Sequence, residues 1–185
     1  GRPELIPDQT YSLYGVKDEI AAINMAIGAS FAGARSMTGT SGGGFSLKVE
    51  ALGLSGMAEI PLVVVNAQRP GPVTGFPTRT EQGDLKFVIS ASQGEFPRMV
   101  IALRHHEDAF YQTIRAFNIA EKYQIPVILL TDQYLADSTM AIPAPNLNNI
   151  HLYKPNDQPI KGSYARYRFT ENGISPRKYP GTRDG

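Results

Sequence analysis

The sequence predicts an α/β fold, three layers (α/β/α) built around a mostly parallel sheet, and two observations carry that prediction. Short apolar strand-like runs alternate with helix-period segments four times or more along the chain. Residues 61–67 (PLVVVNA) and 126–131 (PVILLT) are unbroken apolar runs, as expected of parallel strands buried on both faces.

Taken in order, residues 11–16 (YSLYGV) are short, aromatic and β-branched at their end, and read as a first strand. A helix opens at Lys17 or Asp18 and runs to about Ala34. Its apolar positions Ile20, Ile23, Ile27 and Phe31 step by three, four and four. Residues 35–40 form a weak strand, Ser41 and three glycines follow, and residues 45–58 return to helical spacing through Phe45, Val49, Leu52 and Met57. After strand 61–67 comes a Gly/Pro-rich loop, residues 68–80 (QRPGPVTGFPTRT), longer than compact domains ordinarily use and of a kind that often carries function. Residues 81–90 read as a short helix and 99–103 (MVIAL) as a strand. Residues 107–122 form a long helix on Ala109, Phe110, Ile114, Phe117 and Ala120, and 126–131 is the last buried strand. Beyond Ala141 the texture changes, with Pro143, Pro145, Pro155 and Pro159 set among Asn, Asp and Gln; residues 148–154 are a candidate small strand. The expected organisation is one α/β domain over residues 1–141, followed by a Pro-rich linker and basic arm over 142–185.

Composition narrows the function. The 185 residues hold 18 Lys+Arg and 17 Asp+Glu, so no strong polyelectrolyte binding is implied. The charge is uneven: residues 1–150 carry 11 basic and 14 acidic side chains, residues 151–185 carry 7 and 3. The absence of cysteine excludes disulfides and any Cys-ligated zinc or iron–sulfur site on this chain, and fits a reducing, cytoplasmic setting. No run approaches the ~20 apolar residues that span a membrane, so no membrane partner is expected. The opening Gly1-Arg2-Pro3-Glu4 has neither Met nor a signal-peptide core, and the chain reads as a fragment or a processed product.

In open α/β sheets ligands bind beyond the carboxyl ends of strands, where loops enter helix N-termini. Three places qualify. Glu19 stands in a first helical turn, where it either complements the positive helix end or points a carboxylate at a ligand and relays a proton. The turn Thr40-Ser41-Gly42-Gly43-Gly44 exposes backbone N–H groups suited to an anion, or else uses Ser41 as an N-cap and the glycines for close packing. It is neither a P-loop nor G-x-G-x-x-G, so a nucleotide-binding reading rests on that turn alone. Arg69 ends the strongest strand and enters the proline-stiffened loop, where its guanidinium binds a carboxylate ligand bidentately or pairs with Glu81 or Asp84. His105-His106-Glu107-Asp108 is read as helix capping and solvated polar groups rather than a metal site, because adjacent side chains point apart. The basic and aromatic tail is read as an arm packing on a partner or a further domain rather than on nucleic acid.

At these residues the sequence resembles the α subunit of the 2-oxoacid:ferredoxin oxidoreductases. The matching segments are DEIAAINMAIGASFAGA from Asp18, TSGGGFSLKVEALGLSGMAEIPLVVVNAQRPGPVTGFPTRTEQGDL, SQGEFPRMVIA, FNIAEKYQIPVILLTDQYL and RYRFTENGISPRKYPGT. They run in order over about residues 11–141 and 164–183. The resemblance implies the pyrimidine-binding domain for thiamine diphosphate. It implies that Glu19 hydrogen-bonds N1′ of the aminopyrimidine, favouring the imino form that deprotonates the thiazolium carbon. It also implies that Arg69 holds the substrate carboxylate and that Ser41, Gly42 and Gly43 contact the cofactor.

The implied activity is oxidative decarboxylation of a 2-oxoacid to acyl-coenzyme A, with electrons passing to ferredoxin. The diphosphate, Mg²⁺ and the iron–sulfur cluster are implied to be held by a partner β subunit, in a homo- or hetero-oligomer. The sequence departs from the family pattern in three places. The usual T-S-G-P-G has Gly43 for Pro, the usual G-P-S-T-G reads Gly71-Pro72-Val73-Thr74-Gly75, and no Tyr-Pro-Ile-Thr-Pro-like segment precedes the acidic motif. The alternative is a non-catalytic assembly module of a heteromer.

Overall fold

The computed structural model describes residues 13–155 and 163–181. Its centre is a four-stranded, all-parallel sheet of order β1-β2-β4-β3, from β1 (Met37–Ser41), β2 (Leu62–Gln68), β3 (Met99–Ala102) and β4 (Pro126–Asp132). The predicted fold class is the one observed. The two apolar runs become the central pair: Leu62 to Gln68 lie opposite Pro126 to Asp132 in continuous register. Burial on both faces explains their composition.

Period-two alternation splits these strands between two cores. Leu62, Val64, Ile128 and Leu130 face α1 (Glu19–Phe31), α2 (Gly43–Met57) and α3 (Leu85–Ile89). Val63, Val127 and Leu129 face α4 (His106–Tyr123) with Ala116 and Ala120. A short α5 (Gln133–Asp137), absent from the sequence reading, follows β4 and is capped by Asp132, whose Oδ1 accepts from the Leu135 N–H at 2.7 Å.

Four expectations need correction. Residues 11 and 12 lie outside the described residues, and 13–16 are not a strand; Leu13 is 91% exposed and no described strand pairs with it. Aromatic and β-branched residues favour a pleated, half-buried surface, and without a partner edge that preference has nothing to act on. Residues 148–154 likewise form no strand. Instead Leu147–Asn149 makes one 3₁₀ turn, and Asn118 of α4 donates to the His151 carbonyl (2.6 Å) and accepts from the Tyr153 N–H (2.8 Å). The stripes of α1 and α2 are narrower than expected: Ile20, Phe31 and Met57 are exposed, and the buried positions are Ile23, Ala26, Ile27 and Ser30 on α1, and Phe45, Lys48, Ala51, Leu52 and Ser55 on α2.

The C-terminal arm returns onto the body of the domain through two arginines. Arg166 pairs with Glu59 at 3.1 Å and donates to the carbonyls of Ala58 and Glu59 that end α2. Arg177 pairs with Glu121 of α4 at 2.9 Å, with both side chains nearly buried, and also reaches the Ser30 carbonyl of α1. Part of the arm's positive charge is therefore met within the chain. Among the described residues no helix is long and apolar enough to cross a membrane.

Candidate functional site

The carboxyl ends of β1 and β2 open into a cleft of about 700 Å³, lined by Glu19, Thr40, Ser41, Gly43, Gly44, Lys48, Arg69 and Val73 among others. Three of its walls are helix or loop beginnings. Asp18 caps α1, its Oδ1 accepting from the Ala21 N–H at 2.6 Å, and this sets Glu19 as the first helical residue at the cleft. The carboxyl end of β1 turns into α2 through Gly42, whose φ of +55° favours glycine. Arg69 follows directly on β2.

The glycines of this turn are required by close approach. A Cβ on Gly42 would lie 2.4 Å from Arg69 Nε, so the guanidinium rests on bare backbone. A Cβ on Gly44 would lie 2.1 Å from Thr40 Oγ1 and 2.8 Å from Glu19 Oε1, which brings those two oxygens into one corner. The loop beyond Arg69 also needs Gly75, at φ +54°, where a Cβ would fall 1.8 Å from the Pro70 carbonyl oxygen. Its far end is pinned by buried amides: Gln68 accepts from the Asp84 N–H (2.9 Å) and donates to the Thr131 carbonyl (3.1 Å), while Asn66 donates to Asp84 (3.1 Å).

These contacts bear on the pairing expected of Arg69. Asp84 is engaged by Asn66 and Gln68, and among the described residues no acid pairs with Arg69, whose Nε is buried without a hydrogen-bond partner. A buried, unpartnered guanidinium N–H beside a cleft suits an incoming anion. Thr40 Oγ1 is buried and unpartnered in the same way. The N-cap reading of Ser41 is corrected: Gly42 holds the N-cap position, and Ser41 Oγ donates to the Ala67 carbonyl at 2.8 Å, tying the ends of β1 and β2 together. His105 does cap α4, with Nδ1 accepting from the Asp108 N–H at 3.3 Å.

The sequence places Glu19 at a helix start, Ser41 and Gly43 in one turn and Arg69 after a strand, and the fold brings these three places to one cleft, with Gly42 against Arg69. Sequence reading named Thr40 and Gly44 only as members of the glycine-rich turn, and it missed Lys48. Lys48 is 1% exposed and donates to the Glu19 carbonyl (3.1 Å) and to Thr38 Oγ1 (3.0 Å). Burial pushes its ammonium below the ordinary lysine value, and the charges of Glu19 and Asp18 pull it partly back. A signal for it was present: Lys48 interrupts the helical stripe Phe45, Val49, Leu52 at an inward position.

Residues 4–183 match the family described as pyruvate flavodoxin/ferredoxin oxidoreductase, thiamine diphosphate-binding. The chain is 51% identical over 168 residues to the α subunit of 2-oxoacid:ferredoxin oxidoreductase 1 of Sulfurisphaera tokodaii, covering 89% of this chain and 27% of that one. It is 38% identical over 178 residues to 2-oxoglutarate synthase subunit KorA of Archaeoglobus fulgidus, covering 94% of this chain and 51% of that one. Among solved structures it is similar to a 2-oxoglutarate:ferredoxin oxidoreductase from Magnetococcus marinus with 2-oxoglutarate, coenzyme A and succinyl-CoA bound. That match has a TM-score of 0.89 at 44% identity, covering 94% of this chain and 30% of that one. The chain thus spans between about a quarter and a half of the relatives it matches.

Proposed function

The chain belongs to the thiamine-diphosphate-binding family of the pyruvate flavodoxin/ferredoxin oxidoreductases, and on that premise we propose that it is the pyrimidine-binding part of a cytoplasmic 2-oxoacid:ferredoxin oxidoreductase. The assembled enzyme decarboxylates a 2-oxoacid oxidatively, passes the acyl group to coenzyme A and the electrons to ferredoxin. The observation that carries this is the convergence on one cleft of Glu19, the Thr40 hydroxyl and Arg69, whose Oγ1 and Nε respectively are buried without a hydrogen-bond partner among the described residues. In this reading residues 1–141 are the cofactor-facing domain, and 142–185 are a linker and basic arm. A β subunit completes the site with the diphosphate, Mg²⁺ and iron–sulfur ligands, of which this cysteine-free chain can supply no thiolate.

The donor set in the cleft suits thiamine diphosphate. When bound, that cofactor supplies a carbon nucleophile and an electron sink for the carbon that loses CO₂. Glu19 carries the carboxylate that shares a proton with N1′ of the aminopyrimidine; its capped helix start holds it in the cleft. Ser41, Gly42 and Gly43 would form the wall facing the cofactor: the Ser41 hydroxyl is turned to the Ala67 carbonyl, and the bare backbone of Gly42 leaves room for Arg69. Arg69 pairs with the substrate carboxylate and leaves the distal group of the 2-oxoacid to other residues.

The test is reconstitution of the native complex that contains this chain. Reduction of a one-electron acceptor is expected to depend on both a 2-oxoacid and coenzyme A, with 2-oxoglutarate and pyruvate compared as substrates. Replacing Glu19→Ala is expected to lower that rate by about a hundredfold or more. Wild-type turnover in that variant would exclude the proposed role.

A further inference from the structure

We propose that Lys48 is a positioning residue for Glu19: its ammonium, held between α1, β1 and α2, fixes the first turn of α1 so that the Glu19 carboxylate stays in the cleft. This rests on the reading of Glu19 as the pyrimidine contact.

An ammonium that is 1% exposed is costly to keep, and the fold alone does not ask for one. Lys48 stands on the buried face of α2 with Phe45 and Leu52, where methionine would supply similar volume and apolar contact without a charge to desolvate. Both hydrogen bonds of the ammonium go to neutral oxygens, the Glu19 carbonyl and Thr38 Oγ1, and no ion pair among the described residues includes it. Its charge is therefore available to the acidic groups above it, Glu19 and Asp18.

The location of those bonds gives the charge its use. The acceptor on α1 is the main chain of the residue that carries the cleft carboxylate, and the acceptor on β1 anchors the ammonium to the sheet. Gly44 lies one helical turn before Lys48 on the same face of α2, and its bare backbone abuts the Glu19 side chain, where a Cβ would lie 3.0 Å from Glu19 Cγ. The helix α2 thus holds Glu19 twice, through its backbone at Lys48 and its side chain at Gly44. A structural lysine would need only the first of these links and no particular partner residue.

The experiment measures affinity of the native complex for two probes: thiamine diphosphate, and an analogue with carbon in place of N1′. The variants are Lys48→Met, Thr38→Val and Glu19→Ala. Lys48→Met is expected to weaken thiamine diphosphate about tenfold and leave the analogue within about twofold, the size of one charge-assisted hydrogen bond. Thr38→Val, which removes one anchor and keeps the lysine, is expected to shift in the same sense by less. Equal loss for both probes would reduce Lys48 to a support of the fold and overturn the inference, as would no loss for either. If Lys48→Met does not assemble, Thr38→Val decides on the same criterion. Glu19→Ala separates the two levels. If it fails to discriminate between the probes, the reading of Glu19 falls and this inference with it. If it discriminates and Lys48→Met does not, only the role of Lys48 falls.

Discussion

Gly44→Ala adds a single carbon at the corner of the cleft where Thr40 and Glu19 meet. The new Cβ would stand 2.1 Å from Thr40 Oγ1, 2.8 Å from Glu19 Oε1 and 3.0 Å from Glu19 Cγ. Ordinary contact between non-bonded heavy atoms is about 3.5 Å or more, so the Glu19 carboxylate must retreat by about 1 Å. The Thr40 hydroxyl has no hydrogen bond to lose and can turn away. Gly44 is already helical, at the start of α2, and alanine there gains up to about 1 kcal/mol of helix propensity. That gain offsets much of the crowding. Stability is therefore expected to stay within about 1 kcal/mol of wild type, while a carboxylate displaced by about 1 Å lowers turnover by about a hundredfold. Chemical denaturation and 2-oxoacid-dependent acceptor reduction, measured on the same preparation of the native complex, test the two halves together. Gly28→Ala is the control: it lies on α1 with nothing within 4 Å of a new Cβ, and the propensity gain should appear there without the loss of turnover. Wild-type turnover in Gly44→Ala, with folding unchanged, would refute the geometry argued for Glu19.

Two further outcomes are expected. Removing Arg177 (Arg177→Met) leaves Glu121, whose side chain is 5% exposed, without its partner. The expected cost is about 3–5 kcal/mol in denaturant unfolding, with the Arg177→Met/Glu121→Gln double variant recovering part of it. The Asp108 carboxyl is lowered from the ordinary 3.8 to about 2, chiefly by the hydrogen bond from Arg104, with the Arg104 and Gln112 N–H groups adding to it against the cost of burial. A depressed carboxyl stabilises the fold fully above its unfolded value and loses that stabilisation as pH falls through the folded one. Asp108 is therefore expected to contribute on the order of 1–2 kcal/mol at pH 6, discounted because Arg104 is largely exposed, and to lose it between about pH 4 and 2. Unfolding curves of wild type and Asp108→Asn should converge over that window.

The elements of this fold were legible because their signals are local. Runs such as LVVV in β2 and ILL in β4 report burial on both faces, and only a sheet covered by helices provides that. The helix starts at Asp18 and His105 were readable for the same reason, since a cap and the N–H that donates to it lie within three residues of each other. Residues 13–16 and 148–154 misled because strand propensity is only a preference for a half-buried surface; Asn118 met the backbone of the second segment from across the molecule. The alternatives at Arg69 and Ser41 stayed open in sequence because each turned on a partner elsewhere in the chain: Asp84 engaged by Asn66 and Gln68, and the Ala67 carbonyl on the neighbouring strand.

The sequence by itself determined the α/β class, the parallel central strands, the family, and the residue types that a carboxylate-and-guanidinium site requires. Period, capping and motif order act over a few residues and need no knowledge of the whole. The tertiary structure alone decided that Glu19 and Thr40 share one corner of a cleft that Arg69 also lines, that Gly42 and Gly44 are bare because side chains press on them, and that Lys48 reaches back to the residue carrying the carboxylate. Those relations join residues 19, 40, 48 and 69 only when parallel pairing brings the ends of β1 and β2 side by side and α1 packs against α2 above them. Such long-range adjacency leaves no period in the chain. Its one trace in the sequence is a lysine at a position where the helical stripe asks for an apolar residue.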